Sequence, residues 1–297
     1  KTFDASLGNW YDDMVDAGGI ASKETGGFWL FGAIGSELIE KGMRRVIEEA
    51  EANIRHFNDS HETDMEKLYF WQAVIIVCEA AGKFSHRYAK LARQMAETET
   101  DLTRRTELEE IAEVCARIPE NPPHTFHEAV QFITFVHLVS ALEKPAAPCT
   151  IGRLDQYLWP YFKADIQNGN LTLERAADLV GGFIYYINNL VRINDTKYTD
   201  FIHSSVLISN ITLGGVDKNG VDATNQLTYL ILHVAGLLKV PEPHISFRWH
   251  PETPHWAMLK ATDTNLKMKG GIPNFVSDLH VVEYMTKRGV SLEESRD

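Results

Sequence analysis

The spacing of apolar residues along this chain changes near residue 203, and this change limits the folds that the chain can adopt. Before it, apolar residues recur at helical spacing, as in the segment 36–58 with its stripe through Leu38, Met43 and Ile54. After it, short β-branched runs alternate with helical patterns. We predict helices over the following ranges of the first part: 36–58, 64–95, 102–118, 126–143, 153–168 and 172–192.

In the second part, the sequence pattern predicts strands separated by helices. The runs 206–213, 244–250 and 274–276 predict strands, and helices are predicted at 223–239, at 254–268 and from about 278. Strands joined by helices of crossover length form parallel or mixed sheets with right-handed connections. The predicted fold class is therefore α/β, with neighbouring strands at 206–213 and 244–250.

Local signals mark where one helix begins. Thr125 and Glu128 have the spacing of a capping box, in which the hydroxyl accepts from the Glu128 N–H and the carboxylate reaches back. Helix 126–143 is expected to start there, and residues 144–152 are expected to form a loop.

Charge and cysteine content exclude several classes of protein. The net charge is −12, from 29 basic and 41 acidic residues, which disfavours a nucleic-acid partner. The apolar runs 132–142 and 227–240 are too short for a membrane span. Three cysteines, far apart, argue against a disulfide framework and predict a cytoplasmic protein.

No catalytic motif follows from spacing alone. The histidines lack the i, i+4 frame of a zinc helix, so no metal site is predicted. Cys78 and Cys115 lie on apolar helix faces and are interpreted as packing groups. Cys149 sits in a Pro-flanked loop, where a side chain can face a cavity.

Longer motifs carry a family resemblance. Four segments resemble the glycyl radical enzymes, the superfamily of pyruvate formate-lyase. They are the stretch from Pro119 to Gln131, the run Gly152-Arg-Leu-Asp-Gln-Tyr-Leu-Trp-Pro-Tyr161, the turn at 214–220 and the segment 241–250. The resemblance covers roughly residues 36–297.

The resemblance implies a ten-stranded α/β barrel made of two half-barrels and wrapped in helices. Residues 1–202 are expected to supply a mostly helical part and residues 203–297 the first strands of one half-barrel. Such enzymes place a thiyl-forming cysteine and a radical glycine on opposed loops, and both are expected after Asp297. The chain is therefore expected to be a fragment that holds no catalytic residue and is inactive alone.

The resemblance also implies partners and a cofactor. The glycyl radical is generated by an iron–sulfur activating enzyme that uses S-adenosylmethionine, the substrate is a small organic molecule, and the enzyme is a homodimer. No metal is expected on this chain.

Substrate contacts are carried over from the pocket-lining loop and the strand before Gly214. They are Ala147, Cys149, Thr150, Ile202, Ile208 and Asn210. Because this set is mainly apolar, we expect an apolar or aromatic substrate, either in hydrocarbon addition to fumarate or in arylacetate decarboxylation.

Three alternatives remain open. Within the superfamily they are a dehydratase or lyase of the diol, choline or hydroxyproline type, and formate C-acetyltransferase. The alternative from another class is a non-catalytic helical binding module. The parent gene past Asp297 decides between this module and an enzyme, because an enzyme requires both radical residues there.

Overall fold

The computed structural model describes residues 36–57, 62–143, 149–190, 209–269 and 271–296. The helices of the first part are α1 (Ser36–Arg55), α2 (Glu62–Thr98), α3 (Leu102–Arg117), α4 (Phe126–Glu143), α5 (Leu154–Tyr157), α6 (Trp159–Gln167) and α7 (Leu173–Asn188). Those of the second part are α8 (Gln226–Leu238), α9 (His255–Met268), α10 (Asp278–Lys287) and α11 (Leu292–Arg296).

Four strands form one parallel sheet in sequence order. They are β1 (Cys149–Arg153), β2 (Ser209–Gly214), β3 (His244–Trp249) and β4 (Asn274–Ser277). β2 pairs with β3 in parallel, with Ile211 beside Ile245, so the predicted adjacency of these two segments is confirmed.

The strand β1 lies where the sequence predicts a loop. Cys149 and Thr150 pair with Ser209 and Asn210, and the register then shifts at Gly152, which has a positive φ of 86°. A segment this short has no period of its own. Its extended form depends on β2, some 60 residues further along the chain.

One face of the sheet is apolar and is buried over its first three strands. Ile151, Ile211, Ile245 and Phe247 are buried there, and successive strand residues point to opposite faces. Helix α4 contacts β1, and α5 contacts β1 and β2. This face joins the main hydrophobic core, which continues between the helices through Phe126, Phe132 and Phe162.

Two predicted helices differ in detail. The range 153–168 splits into α5 and α6 around Leu158, because Pro160 has no N–H to continue the first helix. In α1, Gly42 has non-helical φ and ψ of 73° and 163°. The N–H groups of Met43 and Arg44 donate instead to the carbonyls of Pro119 and Glu120.

The start of α4 follows the predicted cap in part. Thr125 Oγ1 accepts from the Glu128 N–H at 3.2 Å, as predicted. The Glu128 carboxylate accepts from the backbone N–H of His124 and pairs with Arg117 rather than closing the box. Asp165 of α6 adds a second cap by accepting from the Phe126 N–H at 2.7 Å.

Among the helices of the described ranges, none is long and apolar enough to span a bilayer.

Candidate functional site

The second face of the sheet carries polar side chains, and we treat it as the candidate site. Asn210, Ser246 and Asn274 lie on this face of three consecutive strands and are joined by hydrogen bonds. Ser246 Oγ lies 3.2 Å from Asn210 Nδ2 and 3.0 Å from Asn274 Oδ1. We call these three residues the inner row.

The residues of the inner row have hydrogen-bond donors and acceptors that are still available to a ligand. An Asn amide offers two donor hydrogens and two acceptor lone pairs, and one Ser hydroxyl cannot use them all. Asn210 is half-buried and Asn274 is exposed, so both can be reached from the open side of the sheet. Thr150, the strand neighbour of Asn210, is also half-buried. Neutral groups of this kind bind hydroxyl, amide or anionic oxygen atoms.

The carboxyl edge of the sheet is held by a buried network around Asp155. Its Oδ2 accepts from the Gly214 N–H at 2.9 Å and from the Thr228 hydroxyl at 2.5 Å. Burial raises the pKa of the Asp155 carboxyl above its usual value, although the hydrogen bonds that it accepts act in the opposite direction. Asp155 thereby joins α5, β2 and α8, which is a structural role.

Two guanidinium groups complete this edge. Arg153 donates to the carbonyls of Gly214 and Arg296, at 2.9 and 3.0 Å. Arg248 pairs with the buried carboxylate of Asp278 and also donates to the Arg296 carbonyl at 3.0 Å. Asp278 in turn accepts from the Val216 N–H. The end of α11 is therefore fixed over the sheet edge.

Gly215 makes room for Arg248 at this edge. Its φ is +83°, and a Cβ there would lie 2.9 Å from Arg248 Nε. A larger residue would displace the guanidinium from Asp278.

A third polar group is buried at the amino end of the sheet. Glu242 accepts from the Ser209 N–H at 3.1 Å, and His137 Nε2 lies 3.0 Å from Ser209 Oγ. Burial raises the pKa of Glu242 to about 7 and lowers that of His137 to about 4. All three residues are almost inaccessible to solvent, so a substrate cannot reach them.

The structure brings together only part of the predicted substrate set. Thr150 and Asn210 are neighbours in β1 and β2. The backbone of Cys149 begins β1 beside Ser209, but its side chain is outside the described structure, as are Ala147, Ile202 and Ile208. Whether these side chains line a pocket stays a prediction.

Sequence reasoning missed Ser246 and Asn274. The signal was present, because both alternate with apolar residues in their strands, Ser246 between Ile245 and Phe247. Only the strand register shows that they meet Asn210.

In the described ranges, no three His, Cys, Asp or Glu side chains come together as a metal site. His124 and His127, which stand close in sequence, contact Arg117 and Glu110 respectively.

Comparison with known proteins decides the family. The family model described as pyruvate formate lyase-like matches residues 33–297. The chain belongs to this family. The glycyl radical enzyme superfamily predicted from the sequence motifs is thereby confirmed, as is the α/β fold class.

Relatives of this pyruvate formate lyase-like chain include a curated isethionate sulfite-lyase from Oleidesulfovibrio alaskensis. The identity is 34% over 268 residues, covering 88% of this chain and 32% of that protein. The chain thus spans about a third of the length of the curated relatives it matches.

Solved structures agree with this assignment. A glycyl radical enzyme from Archaeoglobus fulgidus is 32% identical with a TM-score of 0.82, covering 90% of this chain and 34% of that one. Hydroxyproline dehydratase from Clostridioides difficile, with trans-4-hydroxy-L-proline bound, is 28% identical with a TM-score of 0.89. It covers 99% of this chain and 37% of that chain.

Proposed function

We propose that the protein to which this chain belongs is a glycyl radical dehydratase or lyase, which eliminates a polar group from a small polar substrate. The observation that carries the proposal is the inner row, a line of neutral hydrogen-bonding groups across three strands. An apolar hydrocarbon would leave the donors and acceptors that the inner row does not use internally unsatisfied, at a cost of about 1–3 kcal/mol for each buried group.

The relatives favour the same reading. Two of the three described above are a sulfite-lyase and a dehydratase, so they support the alternative of the sequence analysis better than its main interpretation. Hydrocarbon addition to fumarate and arylacetate decarboxylation were inferred from the mainly apolar substrate set, in which Ala147, Ile202 and Ile208 are the apolar side chains apart from Cys149. All three lie outside the described residues, whereas the described part of the same region is polar.

The cofactor and partners follow from the family. A glycyl radical supplies hydrogen-atom abstraction through a cysteine thiyl, and an S-adenosylmethionine-dependent iron–sulfur enzyme generates it. The residues of this chain bind and orient the substrate from one wall, with Asn210 and Thr150 as the proposed contacts. We further propose a cytoplasmic homodimer.

The test is activation of the full-length protein under strictly anaerobic conditions with its activating enzyme. The glycyl radical is quantified by electron paramagnetic resonance, and turnover is then measured with isethionate, trans-4-hydroxy-L-proline, glycerol, an arylacetate, toluene with fumarate, and pyruvate with coenzyme A. We expect turnover only among the first three. Turnover confined to the aromatic or pyruvate substrates would overturn the proposal.

A variant pair tests the inner row itself. Replacing Asn210 with Leu, which keeps the branched shape but removes the polar atoms, should raise KM for the polar substrate about tenfold or more, with an unchanged radical yield. Asn219→Leu, on the exposed turn after β2, is the matched control and should leave KM unchanged. Equal kinetics for the two variants would exclude Asn210 from the substrate site.

A further inference from the structure

Helices α8 and α9 enclose a lysine side chain between them. Lys260 of α9 is only 7% exposed, although lysine is almost never fully buried without a partner. Its Nζ lies 3.2 Å from His233 Nδ1 and 3.3 Å from the Asp263 carboxylate. The same Nζ stands 5.1 Å from the centroid of the Tyr229 ring. An imidazole, a carboxylate and an aromatic face therefore surround this ammonium group.

The contact with His233 requires a neutral imidazole. An ammonium group has three donor hydrogens and no acceptor, so His233 Nδ1 must accept with its lone pair. A protonated imidazole carries a hydrogen on both ring nitrogens and has no such lone pair. Protonation would also place two positively charged groups 3.2 Å apart, where they repel each other. The contact and the protonated form of His233 therefore exclude each other.

The neighbouring charges do not compensate for a proton on His233. Asp263 is already shared by Lys260 and Lys267, at 3.3 and 2.8 Å. Burial lowers the pKa of His233 below its ordinary value, and Lys260 and Lys267 lower it further. Asp263 acts in the opposite direction without offsetting them. Among the described residues, no charged group of α5 or α7, which also pack on α8, acts on His233.

We propose that His233 and Lys260 form a proton-sensitive lock between α8 and α9, closed while His233 is neutral and released when it takes up a proton. Release removes the Lys260 ammonium from the Tyr229 ring and opens the packing of the two helices at this level. The helices stay joined further along, since Thr264 Oγ1 donates to the Leu232 carbonyl at 2.9 Å. The lock therefore loosens one part of the interface and leaves the fold intact.

The direction of the pH effect follows from the lowered pKa of His233. The neutral contact contributes its full stability above about pH 6.5, and this contribution is lost as pH falls through the folded pKa. α8 connects β2 to β3 and α9 connects β3 to β4, so acid should increase local opening next to the strands of the inner row. The inference does not rest on the proposed reaction, and its tests need no activation of the enzyme.

The first test measures the titration of His233 in the full-length protein. Exchange of the imidazole C2 hydrogen for deuterium, followed by mass spectrometry, gives a titration curve for each histidine. Lys260→Met keeps a long unbranched side chain and removes the charge, so it should raise the pKa of His233. Lys287→Met, at an exposed position of α10, is the matched control and should leave the His233 curve unchanged. If Lys260→Met also leaves it unchanged, there is no lock.

The second test measures release. Amide hydrogen exchange in peptides covering α8 and α9 is compared at pH 7.5 and pH 4.5, after correction for the chemical exchange rate. His233→Asn places an amide oxygen near the position of Nδ1 and cannot take up a proton in this range. We expect the parent to lose about fivefold more protection than His233→Asn at the lower pH. Equal behaviour of the two proteins would overturn the proposal, because opening would then not depend on His233.

Discussion

Among single residues, Glu242 is a carboxyl group that is buried away from water. It is 3% exposed, and burial raises its pKa from the usual 4.5 of a glutamate to about 7 because burial disfavours the charged form. A carboxyl with a raised folded pKa stabilises the fold below the unfolded pKa, and this contribution is lost as pH rises through the folded pKa. The protein should therefore lose stability between about pH 4.5 and 7 through this group.

Glu242→Gln tests that expectation. The amide cannot ionise and can still accept from the Ser209 N–H, so the variant should gain about 2 kcal/mol relative to the parent between pH 5 and pH 8. The free energy of unfolding in urea at the two pH values measures the gain. Glu252→Gln, on an exposed turn, is the control and should show none. An equal gain in both variants would mean that burial of Glu242 has no energetic effect.

At the scale of the element, Gly42 decides the course of α1. Its φ of +73° with ψ of 163° is a conformation that only glycine adopts readily, and a Cβ would lie 2.7 Å from the backbone of Asn121 and Pro122. The amphipathic period of 36–58 runs straight through this position and gives no sign of the break. The break exists because Met43 and Arg44 bond to the loop before α4.

Gly42→Ala should therefore destabilise the protein by at least about 2 kcal/mol. Gly182→Ala is the matched comparison, since Gly182 lies inside α7 with open space where its Cβ would stand. That change should stabilise by roughly 0.5–1 kcal/mol, because glycine is a poor helix former. Thermal unfolding followed by circular dichroism at 222 nm measures the stability of both variants. If the two substitutions change stability in the same direction, the argument from backbone geometry is wrong.

At the scale of the whole molecule, the carboxyl edge of the sheet is where distant parts of the chain are tied together. Asp155 accepts from residues 59 and 73 positions away, and Arg153 reaches the Arg296 carbonyl 143 positions away. Each of these hydrogen bonds joins separate elements, so the loss of one side chain should lower the stability of the whole fold. The sequence motif containing Arg153 and Asp155 is accordingly interpreted as structural.

Asp155→Ala should cost about 3 kcal/mol or more, because it leaves the buried Gly214 N–H and Thr228 hydroxyl without their acceptor. Asp155→Asn keeps one acceptor oxygen and should cost less. Asp178→Ala, at an exposed position of α7, should change stability by under about 0.5 kcal/mol. If Asp155→Ala folds with parental stability and the activated full-length enzyme loses turnover, the residue is catalytic instead.

Most of the helices, the parallel neighbours β2 and β3, and the superfamily could be predicted from the amino-acid sequence. Each of these depends on a repeating local pattern or on a contiguous motif, and such signals are complete within a short window of the chain. Helix 126–143, for example, begins at the Thr125 cap that stands next to it.

Three features depend on contacts between distant parts of the chain: β1, the break at Gly42 and the inner row. Cys149–Arg153 becomes a strand because β2 offers hydrogen-bond partners, and Asn210, Ser246 and Asn274 meet because three strands share one register. A hydrogen bond between groups 28 to 60 residues apart leaves no period in the sequence, since its geometry exists only once the intervening helices have packed.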